Sequence, residues 1–143
     1  MPFQLEIVTP ERRAYADTVD FVTLPGSEGE MGVLPHHAPL ISILGAGELR
    51  VRKGGFEESF AIIGGFVQVL PDRVVVMAET ADLAADIDLA RAEQARLDAQ
   101  RTLGAGILEA ADMAQARAAL EAALTRIKVA ERHRHGEGPR RRG

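Results

Sequence analysis

The residues able to do chemistry gather in one stretch, Pro25-Gly26-Ser27-Glu28-Gly29-Glu30-Met31-Gly32, and just beyond it at His36-His37. Glu28 and Glu30 could form an acid/base pair of the glycosidase kind, but a spacing of two residues in a loop fixes no carboxylate separation. The glycines do not end in the Lys-Ser or Lys-Thr of a phosphate-cradling loop, and carboxylates stand where an anion site wants donors and cations. A plain exposed loop between strands accounts for the stretch equally well. His36 and His37 lie between Pro35 and Pro39; adjacent histidines point apart, and neither a cysteine nor an HExxH-like spacing completes a metal set. Loop histidines that hydrogen-bond locally or meet a partner fit this context better. Ser27, Ser42 and Ser59 lack the strand-turn-helix setting of an activated serine. These residues suit binding and regulation; catalysis by this chain alone finds no support.

The elements that must position them divide the chain in two. Over the first 80 residues hydrophobicity alternates with period two: Phe3, Leu5 and Ile7 share one face, and Gln4 and Glu6 the other. Further strand-like segments start at Val19 and Phe21, and at Leu40-Ile41-Ser42-Ile43-Leu44 and Leu49 to Val51. Phe56 to Ile63, Phe66 to Leu70 and Val74 to Ala78 follow, separated by Gly64-Gly65 and Pro71-Asp72-Arg73. Many short strands at this spacing predict an all-β half, sandwich or barrel, not a βαβ sheet. After Thr80 the texture changes to Ala, Glu, Gln, Arg and Leu, which favour helix. Asp86 is the expected cap of a first helix, with Asp88 in its first turn, running to about Leu103 before Gly104-Ala105-Gly106. Asp112 is the expected cap of a second, from Met113 to about Arg132, with Leu120, Leu124 and Ile127 as its apolar stripe. The first helix offers only Leu89 and Leu97 among Ala92, Ala95 and Ala99, so the pair should be weakly held and mobile.

Composition sets the outer limits. The 143 residues are 46% hydrophobic but only 4% aromatic, so the core must be Val, Ile, Leu and Ala. Without cysteine there is no disulfide framework or thiolate metal site, which suits a reducing compartment. The start, MPFQLEIV, has no leader-like basic or long apolar segment, and nowhere do about 18 apolar residues run together. The net charge of −4 divides into +4 from Arg132 onward and −8 before it. An acidic body with few aromatics argues against nucleic-acid binding. The end RHRHGEGPRRRG is basic, and residues 133–143 of it read as a solvated, disordered tail.

The run from Gly26 to Leu40, GSEGEMGVLPHHAPL, resembles the signature of the ATP synthase epsilon subunit, and so does Ile63-Gly64-Gly65-Phe66-Val67 before a Val-rich strand. Ile87-Asp88-Leu89-Ala90-Arg91-Ala92 is similar to the first-helix motif of many bacterial members, and Arg126-Ile127-Lys128-Val129-Ala130 to the end of the second helix. The resemblance covers nearly all the chain up to about Arg132. It implies an α+β protein, with an N-terminal antiparallel β-sandwich over 1–83 and a C-terminal two-helix antiparallel hairpin over 84–132. It further implies a non-catalytic subunit in the central stalk of a bacterial F-type ATP synthase, coupling proton flow to ATP synthesis. The sandwich would bind the gamma subunit and the c-ring, while the helices reach the alpha/beta hexamer and inhibit ATP hydrolysis. The place implied is peripheral, on the cytoplasmic face of the bacterial inner membrane, with no insertion into it.

Residue by residue, Glu28, Gly29, Glu30 and Met31 match the family loop that meets the c-ring, and His37, Ala38 and Pro39 the region facing gamma. No cofactor is implied, but in some bacterial members the hairpin binds regulatory ATP through the first-helix motif and basic residues of the second helix. Ile87, Asp88, Arg91, Ala92 and Arg126 match positions of that site. One turn before Arg126, where nucleotide-binding members place another arginine, this chain has Ala122, so ATP should bind weakly. A purely structural role, a surface ion pair between Asp88 and Arg91, stays open beside the ATP role. The rival to the whole reading is a stand-alone β-sandwich adaptor or ligand-binding domain with a helical appendage.

Overall fold

The computed structural model describes residues 2–33, 39–106 and 109–134. Eight strands come first: β1 (Phe3–Val8), β2 (Arg13–Val19), β3 (Phe21–Gly26), β4 (Gly29–Val33), β5 (Leu40–Ile43), β6 (Gly47–Lys53), β7 (Phe56–Val69) and β8 (Arg73–Leu83). A 3-10 turn over Ala84–Asp86 leads to the helices α1 (Leu89–Ala105) and α2 (Ala110–Arg132). The hydrogen-bonded path runs β2-β1-β8-β7-β6-β3-β4, with β5 also on β7. All pairs are antiparallel except β1 with β8, where Leu5 lies beside Val74 and Ile7 beside Val76.

Period-two alternation decides what goes inside. Phe3, Leu5 and Ile7 from β1, Val22 and Leu24 from β3, Leu49 and Val51 from β6, and Phe60, Ile62, Val67 and Val69 from β7 share one buried cluster with Val74 and Val76 from β8. The sheet folds over on itself, because strands far apart on the path meet: the Tyr15 ring of β2 stands edge-on to Phe60 of β7 at 5.5 Å. Lys53 of β6 also donates to Asp17 of β2 at 2.7 Å. That lysine and the Thr18 amide hold the Asp17 carboxyl below its usual range.

Several sequence expectations need correction. Gly64-Gly65 does not separate two strands. Both adopt positive φ, 68° and 109°, and β7 passes through them with its register to β8 unchanged. Its first half pairs with β6 and its last residues with β5, so the glycines twist one long strand across the two layers. A Cβ on Gly65 would collide with the Met77 carbonyl, which leaves glycine alone able to serve there. A strand, β2, occupies Arg13–Val19, a segment with little period-two alternation. In the helices, the leucines are not the seam: Leu97 is 43% and Leu124 46% exposed, while Ala92, Ala99, Ala116 and Ala123 are buried with Ile127. Small side chains let the two helices approach closely at the cost of little apolar area.

Tyr15, the sole tyrosine, is half-buried. Desolvation by burial, with the Asp17 and Glu58 carboxylates adding to it, pushes its phenol up to about 12. A folded-state value above the unfolded one favours the neutral form, so the stability it confers is intact below about pH 10 and lost as pH rises toward 12. Ultraviolet titration of the phenolate should therefore give a midpoint near 12; one near the free-tyrosine value of about 10 would show Tyr15 to be solvated.

Candidate functional site

The helical hairpin is docked on the outer face of the strands. On β7, Phe60 and Ile62 point into the sandwich, so Ser59 and Ala61 project from the other side, and both are buried. Val129 of α2 covers Ala61 and Ala84 there, with Ile87 packed alongside. Two arginines of α2 flank this patch. Arg126 donates from Nε to Asp82 Oδ2 at 2.9 Å and from Nη2 to Thr80 Oγ1 at 3.3 Å. Arg132 donates to Glu48 Oε2 from Nε at 2.9 Å and from Nη2 at 2.6 Å, and from Nη2 to Ser59 Oγ at 3.4 Å. Arg132 closes α2 as its last residue.

Where the hairpin meets the strand end, a cavity of about 390 Å³ opens. Its lining includes all five residues proposed from sequence, Ile87, Asp88, Arg91, Ala92 and Arg126, joined by Asp82 and Asp86. Asp88 earns its place as the N-cap of α1: its Oδ1 accepts from the Arg91 amide at 3.2 Å. Two expectations are thereby corrected. Asp86 ends the 3-10 turn and does not cap α1. Asp88 meets Arg91 through its backbone amide, its side chain accepting a capping bond in place of the ion pair that the sequence had left open. Likewise Glu109 is the N-cap of α2 without a side-chain bond, and Asp112 sits in its first turn. Chemically the cavity can offer two guanidinium groups to an anion, but three carboxylates share the space and Arg126 already has one of them. Ala122 is not part of the lining.

The acidic stretch is mostly strand. β3 extends to Gly26 and β4 starts at Gly29, so the expected loop shrinks to Ser27 and Glu28 at a hairpin tip. Gly29, with φ of 136°, takes a backbone conformation that side chains rarely adopt. Glu28 is exposed. Glu30 accepts from Arg50 Nη2 of β6 at 3.0 Å. Met31 packs part of its side chain on the main core. Between this hairpin and α2 lies a further cleft of about 550 Å³, bounded by Pro25, Glu30, Leu120 and Leu124.

Of the residues matched to a gamma-facing region, His37 and Ala38 lie outside the described residues, and Pro39 is exposed. Next to Pro39 the structure adds what sequence reading missed. The apolar run 40–44 alternates, with Leu44 buried while Ile41 and Ile43 are 70% and 66% exposed. Ile43 pairs with Phe66 of β7, itself 43% exposed, and the three form one apolar strip. The only sequence signal was parity with Leu44. Asp82, Glu48, Thr80 and Ser59 were also missed, because their partners lie 44 to 84 residues away.

The profile of the family described as ATP synthase, Delta/Epsilon chain, beta-sandwich domain matches residues 2–84. The ATP synthase epsilon chain of Dehalococcoides mccartyi is 46% identical over 131 residues, 92% of this chain and 94% of that one. That of Herpetosiphon aurantiacus is 46% identical over 94% of this chain and 98% of its own. Among solved structures, a chain of the Euglena gracilis mitochondrial ATP synthase, an assembly of OSCP, F1 and c-ring, superposes with a TM-score of 0.73. It is 27% identical, over 84% of this chain and 76% of that one.

The two aspartates at the start of α1 separate in a simple experiment. Asp88→Ala should cost about 1 kcal/mol of stability in thermal or denaturant unfolding, as loss of an N-cap does, and Asp86→Ala less than about 0.5 kcal/mol. Equal effects would remove Asp88 from the capping role.

Proposed function

The chain belongs to the ATP synthase epsilon-chain family, and from that premise we propose that it is a non-catalytic central-stalk subunit that couples proton flow to ATP synthesis and restrains ATP hydrolysis through a movable helical hairpin. One observation carries the division of labour: the hairpin sits on the β-domain through a small alanine-lined patch and two arginines, outside the main core. The sandwich can keep its stalk contacts while α1 and α2 leave their seat and extend toward the alpha/beta hexamer. The exposed strip of Ile41, Ile43 and Phe66, continuous with Pro39, fits an apolar surface of the gamma subunit, and the Glu28–Met31 hairpin fits the polar loops of the c-ring. Among the described residues no helix is long and apolar enough to cross a membrane. The proposed place is peripheral, on the cytoplasmic face of the bacterial inner membrane.

A chain ending near residue 83 tests this reading. It should fold, because the strands hold the whole main cluster, and should bind gamma while losing most inhibition of ATP hydrolysis. Failure to assemble with gamma, or inhibition left intact, would sink the proposed division.

The cavity around Arg91 and Arg126 is the proposed seat of regulatory ATP, held weakly. Each charge-assisted hydrogen bond contributes roughly 1.5–3 kcal/mol, so the cation missing at Ala122 alone weakens affinity by about tenfold or more. Calorimetric titration with ATP should show weak or undetectable binding in the wild type and tighter binding in Ala122→Arg. Micromolar binding by the wild type, unchanged in the variant, would show the site to lie elsewhere.

A further inference from the structure

We propose that Asp82 and Glu48 of the β-domain are built-in counter-ions that hold the hairpin docked without nucleotide, by pairing with Arg126 and Arg132. This deepens the reading above, in which the hairpin leaves its seat, by naming what keeps it there. The apolar part of the seat is slight: Val129 against Ala61 and Ala84, with Ile87 beside them. The polar part is better built. Arg132 places both Nε and Nη2 on Glu48 Oε2, and these side chains are 25% and 17% exposed, the most sheltered ion pair among the described residues. Arg126 and Asp82 are 31% and 36% exposed, and Thr80 takes a further donor of the same guanidinium.

The two arginines stand six residues apart, on either side of Val129 and Ala130, so they clamp both ends of the contact segment. They come from the moving helix and their acceptors from the rigid strands, so neither pair survives undocking. Arg126 also lines the cavity proposed for ATP, and Asp82 already fills the role a phosphate would take there. In this chain the docked state therefore does not need a nucleotide to neutralise the guanidinium.

The chain has no cysteine, so spin labels can be placed on cysteines introduced at the exposed positions Glu11 and Ala118 of the full-length protein. Their distance distribution, recorded without nucleotide, reports the docked and undocked fractions. Combining Glu48→Gln with Asp82→Asn keeps both shapes and removes both charges, and should raise the undocked fraction about tenfold, the response expected of two partly exposed pairs. Wild type should shift the same way as salt is raised to about 1 M, where screening acts over roughly 3 Å. An undocked fraction equal in wild type and double variant, or a wild type indifferent to salt, overturns the proposal. Neither result bears on gamma binding or inhibition by the truncated chain, so the two readings fail separately.

Discussion

Strand β7 joins everything else. It is 14 residues long, and it pairs with β8 along most of its length, with β6 at its start and with β5 at its end. Because side chains alternate across a strand, the same segment supplies Phe60 and Ile62 to the interior and Ser59 and Ala61 to the outside. A large residue at Ala61 would keep Val129 from its place, and an apolar one at Ser59 would leave the Arg132 guanidinium with one acceptor fewer. The sandwich and the seat of the hairpin are thus two faces of one strand, and the exposed apolar strip proposed to meet gamma includes Phe66 farther along it.

The two faces of that strand contrast in energy, and the contrast supports the proposal that the hairpin moves on a stable β-domain. Inside, more than a dozen large apolar side chains are buried together, each contributing about 1.5–3 kcal/mol. On the docking face, Val129 is the one buried side chain larger than alanine in its cluster, and the ion pairs are partly open to water. A pair of that kind contributes on the order of 0.2–1 kcal/mol. The hairpin can therefore exchange between positions without loosening the strands beneath it. An alanine seam serves the same end within the hairpin, where Ala92, Ala99, Ala116 and Ala123 bring the helices together with little buried area.

Much of this was legible in the sequence, and what was not has a common cause. Period-two alternation placed most strands, and the change of composition after Thr80 placed the helices, because both signals are local. Ile87, Asp88, Arg91 and Ala92 line one cavity together with the distant Arg126. Gly64-Gly65 misled because glycine breaks a strand in most contexts; here it lets the strand twist through a conformation that β8 enforces from outside. Asp86 stood as the expected cap on sequence alone, and only the hydrogen bond from the Arg91 amide assigns that role to Asp88. Asp82 and Glu48 carried no sequence signal, since a carboxylate on a strand looks solvated until the helix that covers it is placed. The outward face of Ile41 and Ile43 was hidden for a related reason: an apolar run does not declare which side of it is wet.

The parallel pairing of β1 with β8 has a consequence for how the molecule comes into being. The first strand finds its inner neighbour only in residues 73–77. On a ribosome the amino-terminal strand must therefore wait, paired on one side with β2 alone, until nearly the entire β-half has emerged. Such long-range closure is slow compared with forming local hairpins. Once it happens, the 3-10 turn and helices are next to leave the exit tunnel, and they meet a finished surface. Synthesis thus delivers the β-scaffold before the hairpin docked on it, and the seat is ready when the last turn of α2, with Arg132, arrives.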